Sequence, residues 1–317
     1  MIRDFSTPLS EPIFQRLAII GFGLIGSSIA RATRQRNLAK TIVAIDSSKE
    51  ARQTIKEQSL ADRITDDPEA GIRGADLILF CTPVGSYEAI ARQIGQHVEK
   101  GTIVSDVGSV KQAAVEAIAP HIPENAHFIG GHPVSGTEQS GPESGFSSLF
   151  VNRYCILTPV ATTDLQALDK LKKFWKGLGS QVEEMDPQHH DRVLAITSHI
   201  PHLIAYNIVG TAADLETVTQ SQVIKFSAGG FRDFTRIAAS DPTMWRDVFL
   251  NNKDAVLEML GRFNEDLSAL ARAIRWGDGE KLFDLFSRTR SIRRSIISMG
   301  QESSEPNFGR NKNNIQE

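Results

Sequence analysis

The sequence predicts an α/β fold: an N-terminal doubly wound parallel sheet followed by an all-helical C-terminal domain. Three observations predict it. Short apolar runs alternate with helical stretches between about residues 16 and 186, the pattern of strands joined by crossover helices. A glycine-rich turn, Gly21-Phe22-Gly23-Leu24-Ile25-Gly26, joins the first apolar run to the first helix. After Asp186-Pro187 the strand signals stop and only helical spacing remains.

Each element has its own signal. Residues 1–15 carry Pro8 and Pro12 without periodicity and read as a flexible arm. Leu17–Ile20 is a short apolar run ending in glycine, as buried parallel strands are. A helix follows over 24–37, and the β-branched run 41–45 is a second strand. Residues 50–58 read as a helix and 63–64 as a short strand. The run 76–81 is a strand stopped by Thr82-Pro83; 87–98 is helical. Strand 102–106, helix 111–119 and strands 127–129 and 154–157 follow, then helix 165–177 and an edge strand at 181–184. Beyond residue 187, Val193, Ile196, Ile200, Leu203 and Ile204 recur at helical spacing, with Pro201 kinking or starting a helix. Ser240-Asp241-Pro242 reads as a cap with an early-turn proline, opening helices through 244–276, with a break near Asn251, and 280–298. The expected domains are therefore 16–186 and 187–300, with a polar, disordered tail at 301–317.

Composition narrows the function. Of 317 residues, 40% are hydrophobic and 23% charged, enough apolar material for a sizeable core. Lys and Arg number 35 against 38 Asp and Glu, a net charge of -3, which argues against nucleic-acid binding. The two cysteines, Cys81 and Cys155, fit a reducing compartment. The uncharged run Leu17–Ala30 is shorter than the about 20 residues that cross a bilayer. Asp4 and Glu11 ahead of it do not suit a signal peptide. A cytoplasmic protein without membrane association is expected.

The glycine turn has the Gly-x-Gly-x-x-Gly spacing in the strand-to-helix context of a Rossmann-type dinucleotide site. Gly21 permits the turn, Gly23 lets a pyrophosphate approach, and Gly26 lets helix and strand pack; Leu24 and Ile25 complete the loop. The helix N-terminus then faces the phosphates. Asp46 ends the second strand, 20 residues after Gly26, where a carboxylate accepts from ribose hydroxyls and repels a 2′-phosphate. The cofactor read from these residues is NAD rather than NADP.

Ligands in such sheets lie outside the carboxyl ends of the strands. Thr82-Pro83, the loop Asp106–Lys111 with Ser109, and the loop Gly130–Gly136 with His132 fall there. A histidine at that end can take a proton as hydride leaves a substrate; a ring held only by loop backbone is the competing reading. In the helical part His199 and His202 share a helix face. No third ligand has suitable spacing alongside His189, His190 and Asp191, so no metal is expected. Arg236, flanked by apolar residues, calls for a carboxylate, from either a substrate or an internal Asp or Glu. Packing is the default role for Trp245.

Taken in order, Gly21–Gly26, Asp106–Lys111, Gly130–Gly141, Ser198–His202 and Phe231–Phe249 resemble the prephenate/arogenate (cyclohexadienyl) dehydrogenase family, the TyrA family of tyrosine biosynthesis. The resemblance spans about residues 16–295 and implies NAD-dependent oxidative decarboxylation of prephenate to 4-hydroxyphenylpyruvate. It implies that His132 takes the C4 hydroxyl proton, with Ser109 beside that hydroxyl or the nicotinamide. It gives Arg236 a substrate carboxylate and places His202, Glu138, Ser240 and Trp245 near the substrate. It also implies a homodimer through the helical domain. The segments flanking 16–300 are too short for a fused chorismate mutase or an appended regulatory domain, so feedback by tyrosine is expected at the active site or not at all.

Three alternatives stand beside this. Arogenate preference, or dual use, differs only in the substrate side chain. A 3-hydroxyacid dehydrogenase would carry a lysine on the helical domain, and residues 187–210 contain none. A non-catalytic NAD-binding sensor would keep the glycine turn without needing His132 and Arg236.

Overall fold

The structure is a computed structural model that describes residues 8–216 and 229–298. The tail expected at 301–317 and residues 1–7 of the arm expected at 1–15 lie outside the described residues.

Eight strands form one sheet: β1 (Phe14–Ile20), β2 (Ala39–Ile45), β3 (Arg63–Thr65), β4 (Leu77–Phe80), β5 (Ile103–Asp106), β6 (His127–Pro133), β7 (Tyr154–Thr158) and β8 (Gln181–Glu184). Their order is β3-β2-β1-β4-β5-β6-β7-β8. Helices α1 (Leu24–Arg36), α2 (Lys49–Glu57), α3 (Pro68–Ile72), α4 (Tyr87–Ile94), α5 (Gln112–Ile118) and α6 (Leu165–Gly177) connect them. Side chains along a strand alternate between faces, and β1 divides accordingly. Leu17 and Ile19 enter one core with Phe150, Phe174 and Trp175. Ala18 and Ile20 enter the other with Phe80, Tyr87 and Val104. Both faces are covered, as the apolar runs require.

Three differences from the sequence reading have physical causes. First, the initial strand starts at Phe14 rather than Leu17. Phe14 is buried, meets the Phe174 ring edge-on at 5.7 Å and donates its N–H to Leu38 O, so the end of the expected arm is core. Second, the sheet is not wholly parallel: β7 runs antiparallel to β6, with His132 opposite Ile156, and β8 is parallel to β7. A parallel return needs a crossover, usually a helix; the β6–β7 connection holds only a three-residue 3-10 turn at Pro142–Ser144, whereas α6 carries the chain from β7 to β8. Third, α3 is an unexpected short helix, capped by Asp67 with Pro68 in its first turn.

Beyond the sheet lie α7 (Pro187–Leu194), α8 (Ile200–Glu216), α9 (Gly229–Thr235), α10 (Pro242–Asn251), α11 (Lys253–Trp276) and α12 (Gly279–Ser298). Asp186 caps α7 by accepting from His189 N, and Asp241 caps α10 by accepting from Met244 N. Between α7 and α8, Ala195–His199 forms a π-helical turn. Pro201 has no N–H to give to the preceding turn, and the wide turn just ahead of it absorbs the loss.

The run Pro187–Leu215 is 29 residues long and apolar enough, by length and composition, to cross a membrane. This corrects the expectation that no segment reaches that length. The run carries His190, Asp191 and His199, all buried, and Asp191 accepts from the backbone of Lys111 and Gln112. Those bonds attach its first turns to the start of α5.

The chain forms two compact units, one ending at Leu257 and one starting at Glu258. The change from sheet to helix at Asp186 falls inside the first unit, because Trp245 and Val248 of α10 share a core with Phe80, Val84 and Tyr87. The second unit comprises the rest of α11 together with α12. It displays Leu267, Ile274, Trp276, Phe283 and Phe286 to solvent, Trp276 at 81% exposure.

Candidate active site

The glycine turn is built as its spacing implies. Gly21 sits at φ 93°, and a Cβ there would lie 2.8 Å from the backbone of Cys81 and Thr82, so only glycine lets the turn meet the β4 loop. Gly26 packs against the Gly21 carbonyl. Gly23 is the N-cap of α1 and supplies no side-chain cap, so the first N–H groups of Leu24 and Ile25 are left to another acceptor. Nothing lies within 4 Å of the Cβ position at Gly23. An uncapped helix N-terminus with open space before it fits the pyrophosphate of NAD. Asp46 stands across the turn, accepting from Phe22 N at 2.8 Å and Ser48 N at 2.9 Å. Nearby Arg52 is committed to Asp46 O, Ser47 O and Asp66, so it is not held in reserve for a 2′-phosphate. Thr82 accepts from Ser86 Oγ and, with Pro83, borders the turn. Asp46→Ser is expected to raise the KM for NAD by roughly tenfold or more, the value of a charged hydrogen bond, and to narrow the preference over NADP. Paired KM measurements check this, and an unchanged ratio would remove Asp46 from cofactor selection.

At the ends of β5 and β6 the site becomes polar and buried. Lys111 Nζ is fully buried, pairs with Asp106 and donates to Gly131 O at 2.6 Å. Asp106 also accepts from Gly108 N at 2.8 Å and Gly131 N at 3.1 Å. This pair ties the loop carrying Ser109 to the strand carrying His132. His132 is buried, and its Nδ1 lies 2.8 Å from His190 Nε2. His190 Nδ1 lies 2.8 Å from Asp191 Oδ1. Asn252 donates to Asp191 O at 2.9 Å, and the same amide nitrogen lies 3.0 Å from His199 Nδ1. His199 meets Trp245 edge-on, and His202 stacks on Trp245 at 3.6 Å between centroids. His202 Nδ1 donates to Ser198 O. Tyr206, one turn further along α8, donates to Ser240 O. The contacts thus run unbroken from His132 to Trp245 and His202.

Burial, above all, keeps these rings neutral. It pushes the pKa of His132 well below the ordinary histidine value, with His190, Lys111 and His199 adding to the effect. His190 is pushed down by burial and by Lys111, and His199 falls to about 4 despite Asp191. His202 is lowered by burial and by Arg236. A neutral buried ring is a proton acceptor at pH 7. In the unfolded chain the three buried rings bind protons below about pH 6.5; folded, they do not. Stability is therefore full above that pH and is lost progressively as pH falls below it toward the lowered folded-state values. Denaturant titrations at pH 7 and 5.5 test this, and equal unfolding free energies would contradict it.

Arg236, in the 3-10 turn Arg236–Ala239, meets Glu138 at 2.5 Å; both are partly exposed. Of the two partners the sequence allowed, an internal carboxylate holds it here. His132, Arg236, Glu138, His202, Ser240 and Trp245 all lie within the first compact unit, as do Ser109 and the glycine turn. The sequence reading missed Lys111 and Asn252, and weighed His190 and Asp191 only as metal ligands. Among the described residues no three His, Cys, Asp or Glu side chains gather as metal ligands do.

Glycine turn, uncapped helix and buried neutral histidine together define the class: a dinucleotide-dependent dehydrogenase. Residues 29–184 match the nucleotide-binding domain of prephenate dehydrogenase, and residues 186–288 match its dimerization domain. The chain belongs to the prephenate dehydrogenase family. It is 39% identical to the cyclohexadienyl dehydrogenase of Zymomonas mobilis, over 90% of this chain and 97% of that one. It is 34% identical to the prephenate dehydrogenase of Bacillus subtilis, over 87% of this chain and 75% of that one. The crystal structure of Aquifex aeolicus prephenate dehydrogenase with hydroxyphenyl propionate and NAD+ superposes with a TM-score of 0.83 at 33% identity, covering 89% of this chain and 98% of that one.

Proposed function

We propose that the protein is an NAD-dependent prephenate dehydrogenase, converting prephenate to 4-hydroxyphenylpyruvate and CO2 in tyrosine biosynthesis. The observation that carries the proposal is the neutral, buried His132 at the carboxyl end of the sheet that bears the glycine turn. His132 accepts the C4 hydroxyl proton. NAD, when bound at the glycine turn, accepts the hydride from C4. The C1–carboxylate bond breaks, its electron pair completes the aromatic ring, CO2 leaves, and the C4 oxygen takes its proton back from His132 to give the phenol. Ser109 lies on the loop before Lys111 and hydrogen-bonds near the same hydroxyl. Arg236 binds a substrate carboxylate in place of Glu138, and Trp245 with His202 forms a flat wall for the ring. Arg236→Gln is expected to raise the substrate KM by roughly 10-fold or more with a smaller effect on kcat, since a charge-assisted bond is worth about 1.5–3 kcal/mol. Steady-state kinetics check this, and an unchanged KM would release Arg236 from the substrate.

The likeness to a cyclohexadienyl dehydrogenase favours a second reading, in which arogenate is also accepted. Two further points belong to the proposal. Residues 16–186 act as the dinucleotide domain and 187–300 as a helical domain that forms a homodimer, supported by the dimerization-domain match and by the exposed Trp276, Phe283 and Phe286. The location is cytoplasmic, which suits two free cysteines. NADH formation from prephenate and, separately, from arogenate tests the function. Turnover with prephenate supports it, and the ratio of kcat/KM values ranks the substrates. NAD binding without turnover of either would overturn it.

A further inference from the structure

We infer that Asp191 and His190 are positioning residues that lock His132 in one tautomer, leaving its lone pair on Nε2. The inference rests on the reading of His132 as the base. Asp191 Oδ1 accepts from Lys111 N at 2.7 Å and Oδ2 from Gln112 N at 2.9 Å. Burial raises the carboxyl's pKa while these two backbone donors and Lys111 lower it. With both oxygens already accepting, a proton at Oδ1 would displace a bond already formed there, so the group acts as an acceptor. His190 Nδ1, 2.8 Å from Oδ1, must then carry its ring's hydrogen. A neutral imidazole has only one, so His190 Nε2 is a lone pair. That nitrogen faces His132 Nδ1 at 2.8 Å, which must therefore donate. One nitrogen remains to accept a substrate proton, Nε2.

The bonds cross the fold. His132 is on β6, while His190 and Asp191 are on α7, 58 residues away. The other charged or titratable groups around His132 are Asp106 at the end of β5, Lys111 from the β5–α5 loop, His199 from the π turn and Cys155 from β7. Lys111 Nζ is committed to Asp106 and Gly131 O, so it does not compete for either nitrogen of His132. Asp191 does two things at once: it anchors α7 to the start of α5 and it sets the hydrogen pattern of two rings. In serine hydrolases, where a carboxylate sets a histidine tautomer, the wrong tautomer costs about 10⁴ in kcat.

Two measurements test the lock. In full-length protein saturated with NAD+, ¹⁵N-labelled at histidine, the His132 resonances are assigned by their loss in His132→Asn. The expected spectrum has a protonated Nδ1 and a pyridine-like Nε2 at pH 7.5; a protonated Nε2, or two averaged nitrogens, overturns the inference. His190→Phe keeps the volume but removes the acceptor. It is expected to lower kcat at least tenfold and shift the acid limb of kcat/KM, with the substrate KM and NAD affinity within twofold. His190→Gln, whose amide oxygen can still accept from Nδ1, is expected to recover part of the loss. Wild-type kcat and pH profile in His190→Phe would overturn the inference. The spectrum decides it if that variant does not fold. A His132→Asn enzyme with full turnover would instead sink the reading of His132 as the base, whatever the tautomer.

Discussion

His132→Asn is expected to lower kcat by about 10²–10⁴-fold, the usual worth of a positioned general base. Asparagine keeps a hydrogen-bonding amide beside His190 but has no basicity near neutral pH. The C4 hydroxyl must then lose its proton to water or not at all. The glycine turn and Asp46 are untouched, so NAD affinity is expected to hold. The acidic branch separates this reading from a merely structural role. Burial holds His132 neutral, so wild-type kcat/KM is expected to stay level as pH falls through 6.5 and to drop only below it. Steady-state kinetics with prephenate, alongside NAD binding followed by fluorescence, check both parts. A kcat within threefold of wild type would remove His132 from proton transfer.

Lys111→Met is expected to cost about 3–5 kcal/mol of stability, the penalty for breaking a buried ion pair from one side. Lys111 and Asp106 are both fully buried. Without the ammonium, Asp106 is left with neutral donors, the Gly108 and Gly131 N–H groups and the Tyr87 hydroxyl, and the Gly131 carbonyl loses the Lys111 donor. Burial lowers the pKa of Lys111 and Asp106 raises it back toward the charged form. Removing both charges in Lys111→Met/Asp106→Leu is expected to recover much of the loss, since an apolar replacement leaves no charge stranded. Urea denaturation of the three variants measures the coupling. A single-variant loss under about 1 kcal/mol would show that Asp106 finds other compensation.

How much of this was legible in the sequence depended on the range of the interaction. The strand–helix alternation and the glycine turn are local patterns, and Leu17–Ile20, Asp46 and the cap at Ser240-Asp241-Pro242 could be read directly. The direction of β7 could not, because strand pairing is decided between segments and not within one. Phe14 looked like part of an arm because its partner, Phe174, is on α6. His190 and Asp191 looked like candidate ligands beside His189, because adjacency in sequence was the only relation visible. Their contacts to His132, Lys111 and Asn252 are made only in the folded chain. Arg236 showed its need for a carboxylate but not that Glu138, 98 residues away, supplies one. Lys111 read as the start of a helix; that its ammonium is buried follows from where β5 and β6 end.

The sheet also ends on short strands. β3 has three residues and β8 four, and β8 presents Gln181, Glu183 and Glu184 to solvent, with Glu184 held by Lys172. A row of free backbone donors and acceptors at a sheet margin is a template on which a second chain can add a strand. Here each margin is too short and too polar to serve. Strand-by-strand growth into aggregates is thereby blocked at both sides of the sheet, and any self-association is left to helical surface, where most of the large exposed apolar side chains lie.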